Sequence, residues 1–160
     1  MSKKLQLLII HCTATPEGRP ITSATIRRWH TDPKPKGRGW KQVGYSEMIH
    51  LNGTIETLVN YNDNDIVEAW EITNGASGVN SISRHIVYVG GTDANGKPKD
   101  TRTVEQLKSL EMYVKAHTTL QPQWKIAGHY HFAAKACPSF NVEKWLESIG
   151  IPEKNIYRKK

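Results

Sequence analysis

Three short apolar runs constrain this chain more than anything else in it. "LQLLIIHC" (residues 5–12), "RHIVYVGG" (84–91) and "WKIAGHYH" (124–131) are short, lack helical periodicity and carry β-branched or aromatic residues. Each reads as a buried strand. The segments between them have the opposite signature. "TSATIRRWH" follows a loop and can start a helix at Thr22 or Ser23 as N-cap. Thr103 and Gln106 form a capping box, after which Val104, Leu107, Leu110 and Val114 mark one face of a helix to about His117. "NVEKWLESIG" is a short helix capped by Asn141 and stopped by Gly150. "GYSEMIHL" and "TIETLV" flank Asn52-Gly53, the strongest local hairpin signal. Strands alternating with helices predict an α/β protein, and the hairpin makes part of the sheet antiparallel. The expectation is a single domain over residues 1–160, with a mixed central β-sheet flanked by helices.

Bulk properties narrow the function classes. With 160 residues, 38% of them hydrophobic, the chain can bury a core without staples. No run approaches the roughly 20 apolar residues of a membrane span, so no membrane insertion is expected. Lys3 and Lys4 precede an apolar run, as in a signal peptide, but Leu5 to Ile10 is too short and no small-residue cleavage site follows. The expectation is a chain made in the cytoplasm without a signal peptide. Its two cysteines, Cys12 and Cys137, are then reduced, as metal ligand or packed thiol. The net charge of +7 favours an anionic partner. The basic residues are scattered, with no arginine-rich helix and no zinc-finger spacing, so no nucleic acid is expected.

The reactive residues concentrate in "GHYHFAAKACPSF" (128–140). Zinc takes imidazole and thiolate ligands, and a catalytic zinc keeps three protein ligands and one open position. His11 ends the first strand, His129 and His131 end the last, and Cys137 sits before Pro138 in an irregular loop. In an α/β sheet, strand ends meet at one rim. Strand geometry puts His129 and His131 on the same face, so either or both could bind. Residues 60–83, rich in Asn, Gly and Ser, read as a long surface connection of the kind that carries function.

Taken together, "IIHCTAT", "GWKQVGYSEMIHLNGTI", "VYVGGTDANGKPKDTRT" and "GHYHFAAKACPSF" span residues 8–140 in order. On these pieces the chain resembles the zinc-dependent N-acetylmuramoyl-L-alanine amidases of the phage-lysozyme and peptidoglycan-recognition-protein type. The resemblance implies a peptidoglycan-recognition-protein-like fold and one zinc per chain, held by His11, His129 and Cys137, with His131 just outside. It implies catalytic roles for Tyr45 and Lys135. The implied reaction is hydrolysis of the amide between N-acetylmuramic acid and L-alanine in peptidoglycan, by a phage or prophage endolysin. The partner would be a muramyl peptide, the enzyme a monomer, and its action on the wall would follow release. The rival readings on the same fold are a non-catalytic peptidoglycan-binding module and a protein–protein regulator. Loss of the metal commonly goes with loss of the cysteine, and Cys137 is present.

Two regions depart from the relatives. Ser46 follows the tyrosine where a histidine is common, and Glu47 stands where an apolar residue is usual. Alternation would put Tyr45, Glu47, Ile49 and Leu51 on one face. Glu47 is then a candidate substrate contact beside Tyr45, attracting an amine on the stem peptide, or else the partner of an internal arginine. Relatives often carry a His-Ala pair and a Ser-Ile-Gly entry to the strand. Here the chain reads Asn74-Gly75-Ala76 and Ser83-Arg84-His85. Asn80, Arg84 and Trp70 are candidate substrate contacts from this region, and His85 is either a carboxylate ligand or a structural residue. His30, His50 and His117 read as structural. Trp40, Trp124 and Trp145 read as core or core edge, and Cys12 as a thiol that packs away from the metal.

Overall fold

The computed structural model describes residues 2–159. Its centre is a five-stranded sheet in the order β5 (Ile55–Thr57), β4 (Glu47–Ile49), β7 (Ser83–Tyr88), β2 (Leu7–Cys12), β9 (Lys125–Gly128). All neighbours are parallel except the β4–β5 hairpin. Short pairs trim the sheet: β1 (Lys3–Lys4) with β6 (Ile66–Val67), and β3 (Thr15–Pro16) with β8 (Gly91–Thr92). The helices are α1 (Ser23–Thr31), α2 (Val104–Leu120) and α3 (Val142–Ser148). No helix among the described residues is long and apolar enough to cross a membrane. The mixed α/β architecture expected from the pattern is the one observed.

Alternation along the strands assigns the two faces. Leu8, Ile10 and Cys12 of β2, Ile86 and Tyr88 of β7 and Ile126 of β9 pack against Leu110, Tyr113 and Val114 of α2 and Val142 and Leu146 of α3. On the opposite face, Met48 and Val87 pack with Ile26 of α1, while Leu7 and Ile9 lie under Ala76. Full burial of one such aliphatic side chain stabilises by roughly 1.5–3 kcal/mol, so this double-sided core makes the sheet a stiff platform.

The local signals hold closely. Thr22 caps α1 by accepting from the Thr25 N–H at 3.2 Å. The Thr103–Gln106 capping box forms, and Asn141 caps α3. Gly53 turns the hairpin at φ +87°, where a Cβ would also meet the Glu105 carbonyl at 2.9 Å. The face of α2 is rotated from the apolar reading: Val104 is 61% exposed, and Gln106 is buried in its place. The Gln106 amide donates to the carbonyls of Ile49 and Val89, which makes a polar residue part of the packed stripe.

Two expectations about the strands fail, each for a backbone reason. The last strand stops at Gly128 rather than running through His131. The Gly128 N–H donates to His131 Nδ1 and the Phe132 N–H to the His129 carbonyl, closing a 3₁₀ turn over His129–His131. The alternation through Tyr45 and Glu47 also breaks. The ladder of β4 begins at Glu47, and the Ser46 carbonyl accepts from both Leu58 and Val59, two residues against one.

Candidate active site

His11 and His129 stand at or just past the C-terminal ends of the neighbouring parallel strands β2 and β9, and Cys137 reaches them from the following loop. One donor atom from each lies within 4.8 Å of the other two. His11 Nδ1 is 3.8 Å from Cys137 Sγ. Three ties position the cysteine: its sulfur accepts from the Cys12 N–H at 3.2 Å, its carbonyl from the Tyr130 N–H at 2.9 Å, and the Pro138 carbonyl from the Tyr88 hydroxyl at 2.6 Å. A tetrahedral zinc with ordinary bond lengths places nitrogen and sulfur ligands about 3.6 Å apart, so the spacing fits. The protonation states fit too. Burial holds His11 well below the usual imidazole range, helped by the neighbouring histidines. Burial, and then the Lys135 ammonium, pushes His129 down to about 4. Both rings stay neutral and keep a lone pair for a metal.

A second layer supports His11. Its Nε2 lies 2.8 Å from His85 Nδ1, and His85 Nε2 lies 2.9 Å from Asn80 Oδ1. His85 is fully buried, and burial pushes it down to about 3. The residue whose role the sequence left open is thus in direct contact with a metal-ligand candidate. His131 is not: its Nδ1 accepts from Gly128, and its Nε2 lies 3.3 Å from Glu143. The 3₁₀ turn separates the two histidines that a continued strand would have aligned.

Beside these donors runs a groove of about 620 Å³, which His129 lines. Tyr45 forms part of its floor, with its ring 5.1 Å from that of His11 and 5.2 Å from that of His30. Burial raises the Tyr45 hydroxyl well above its ordinary range, so it remains a proton-bearing donor. His30 Nδ1 accepts from the Gly44 N–H at 2.9 Å, and a Cβ on Gly44 would come within 3.0 Å of that ring. Lys135 lines the groove beside His129, and Arg38, Trp40 and Lys41 form another wall. Three cations and no carboxylate line it.

Of the residues singled out from sequence, His11, His129, Cys137, Tyr45, Lys135 and Asn80 come together here. Glu47, Arg84 and Trp70 do not. Glu47 is buried on the α2 side, where it accepts from the hydroxyls of Thr57 and Tyr61. Arg84 is buried with its guanidinium 3.7 Å over the Tyr61 ring. Neighbouring residues on a strand point to opposite faces, so Arg84 faces α2 because His85 lies on the groove side of the sheet. Trp70 is 53% exposed on a separate 3₁₀ turn and lines no part of the groove. From sequence, His30 read as structural and Trp40 as core or core edge, and Arg38 and Lys41 were not singled out; all four line the groove. The glycines in "GRGWKQVGY" were the available signal, since Gly44 is needed for the approach to His30.

Comparison with known proteins gives a consistent family. The family described as N-acetylmuramoyl-L-alanine amidase matches residues 1–140. The chain is 33% identical over 139 residues to the endolysin of Enterobacteria phage K11, covering 87% of this chain and 83% of that protein. Among solved structures, it is similar to the endolysin N-acetylmuramoyl-L-alanine amidase LysCS from Clostridium intestinale URNW, at TM-score 0.70 and 20% identity over 93% of this chain and 86% of that one. It is also similar to Drosophila PGRP-LB, at TM-score 0.64 and 19% identity over 94% and 86%. At these identities the two structures speak for the fold alone.

Proposed function

The chain belongs to the N-acetylmuramoyl-L-alanine amidase family, and from that premise we propose that it is an endolysin-type hydrolase whose reaction centre is a zinc site formed by His11, His129 and Cys137, with Tyr45 and Lys135 acting on the substrate. The substrate bond is the amide between N-acetylmuramic acid and the L-alanine of the stem peptide. The observation that carries the reading is the convergence of two neutral imidazoles and one thiol beside a cationic groove that His129 lines.

Zinc, when bound, would polarise the scissile amide and supply an activated water at neutral pH. The remaining roles belong to the chain itself. Tyr45 keeps its proton and donates a hydrogen bond to the oxyanion that develops on the carbonyl oxygen. Lys135, at the mouth, adds positive charge there and is the proton source for the departing alanine amine. Arg38 and Lys41 attract the carboxylates of the stem peptide, while Trp40 offers an apolar wall.

The test is a metal count on purified protein together with product analysis on purified peptidoglycan. One zinc per chain and new alanine amino termini without new reducing sugars are expected. New reducing sugars would make the chain a glycosidase and end this reading.

A further inference from the structure

For neutral rings, the donors and acceptors behind His11 follow from the last of them, which has only one possible role. Asn80 Oδ1 accepts from the Ala76 N–H at 2.8 Å, and a backbone N–H cannot accept. That contact fixes the amide's orientation, so the atom facing His85 is an oxygen. His85 Nε2, 2.9 Å from this oxygen, must therefore carry the proton. A neutral imidazole with a proton on Nε2 has a bare Nδ1, which can only accept. His11 Nε2, 2.8 Å away, must then be the donor. His11 Nδ1 is left as the lone-pair nitrogen, and it is the atom that lies 3.8 Å from Cys137 Sγ.

We propose that Asn80 and His85 are positioning residues that fix the tautomer and orientation of His11, so that its Nδ1 lone pair is presented to the metal through two imidazoles in series. This rests on the zinc reading above. Gly75 belongs to the device: a Cβ there would stand 2.5 Å from His85 Nδ1, in the space the acceptor occupies. The His85 ring thus depends on a residue with no side chain in the facing loop. The arrangement also gives Asn80 a role apart from substrate binding, although it lines the groove.

Two measurements test the proposal together. The first is imidazole ¹⁵N NMR on the metal-free protein, which reads the His11 tautomer directly. The Nε2–H form is expected in wild type, with loss of that preference in His85→Ala and Asn80→Ala. The second is zinc affinity by competition with a chelator. His85→Ala should lower it by about 10- to 100-fold, the usual cost of removing a partner behind a metal-bound histidine. His85→Asn, whose carbonyl can stand near the place of Nδ1 and still accept, should recover most of that loss. Asn80→Asp, which keeps the acceptor, should stay close to wild type. An Nδ1–H tautomer in wild type overturns the proposal. So does equal loss of affinity in His85→Asn and His85→Ala, since a purely structural ring would fail equally in both. Failure of wild type to take up zinc would instead strike the metal assignment, and the NMR result would still decide the relay.

Discussion

Arg84 and His85 are neighbours on one strand, and they build two different polar clusters. On the α2 face, Arg84 lies over Tyr61, and Tyr61 and Thr57 donate to Glu47. Arg84 also donates to the Asn62 carbonyl and keeps one guanidinium nitrogen without a partner, so the hydrogen bonding of this cluster centres on Glu47. On the groove face, His85 bonds His11 and Asn80, yet the far nitrogen of His11, the His129 ring and the Cys137 thiol point at a common space. Both clusters centre on buried side chains, and both contain charged or chargeable groups with displaced titration. The difference lies in where the donor atoms aim. A cluster whose atoms face inward holds the fold together, whereas one whose atoms converge on a shared space can hold a ligand.

The sharpest way to break this contrast is to remove a donor from the open cluster. Cys137→Ser and His129→Ala should each lose zinc and abolish wall hydrolysis while still folding, because three ligands leave no spare. Full zinc occupancy in both variants, by elemental analysis, would refute the ligand set. Next come groups that face the same space without holding metal. Tyr45→Phe and Lys135→Ala should retain zinc and lose roughly 10²-fold in kcat. Unchanged turnover in both would remove them from the chemistry.

The inward cluster should behave the other way round. Glu47→Ala strips the Tyr61 and Thr57 hydroxyls of their acceptor and empties a buried position, and should cost about 1–3 kcal/mol in urea unfolding, with kcat and zinc content unchanged. Its pH dependence has a definite sign. Burial raises the Glu47 carboxyl above its ordinary value, against the opposing hydrogen bonds from Tyr61 and Thr57. The folded protein therefore holds this proton after the unfolded chain has released it. Stability from this group is present below the ordinary carboxylate pKa and is lost as pH rises through the raised one. Glu47→Gln should flatten that slope, and an unaltered slope would show that Glu47 ionises freely. The smallest effect belongs to the groove wall. Arg38→Ala should raise KM roughly fivefold, about 1 kcal/mol, with kcat near wild type, the pattern of uniform binding lost. A fall in kcat at constant KM would move Arg38 from the wall to the reaction.

The local signals were legible in the sequence because short-range physics governs them. Thr22, Thr103 and Asn141 cap helices through their own side chains, and Asn52-Gly53 turns a hairpin through its own backbone preference. The signals that failed were those that needed the end of a pairing or the break in a period. Glu47 was aligned with Tyr45 because nothing nearby in sequence announces that the Ser46 carbonyl accepts from both Leu58 and Val59. His129 and His131 were left equivalent because the turn that divides them is closed by a hydrogen bond from Gly128 to a side chain.

By itself, the sequence determined the α/β architecture and brought forward four candidate metal donors, His11, His129, His131 and Cys137. The runs "IIHC" and "KACPSF" place scarce, chemically distinctive residues at a strand end and in a constrained loop, and that information is local. Only the tertiary structure decided that His85 supports His11, that Arg84 and Glu47 belong to the opposite face, and that Arg38, Trp40 and Lys41 wall the groove. Those outcomes depend on which strands pair and in what register. With β2 and β7 parallel, Ile9 stands opposite His85, and that register brings the two imidazoles to 2.8 Å across a sequence gap of 74 residues. A slip of one residue would have sent Arg84 into the groove and His85 into the core, since side chains alternate faces with every step along a strand.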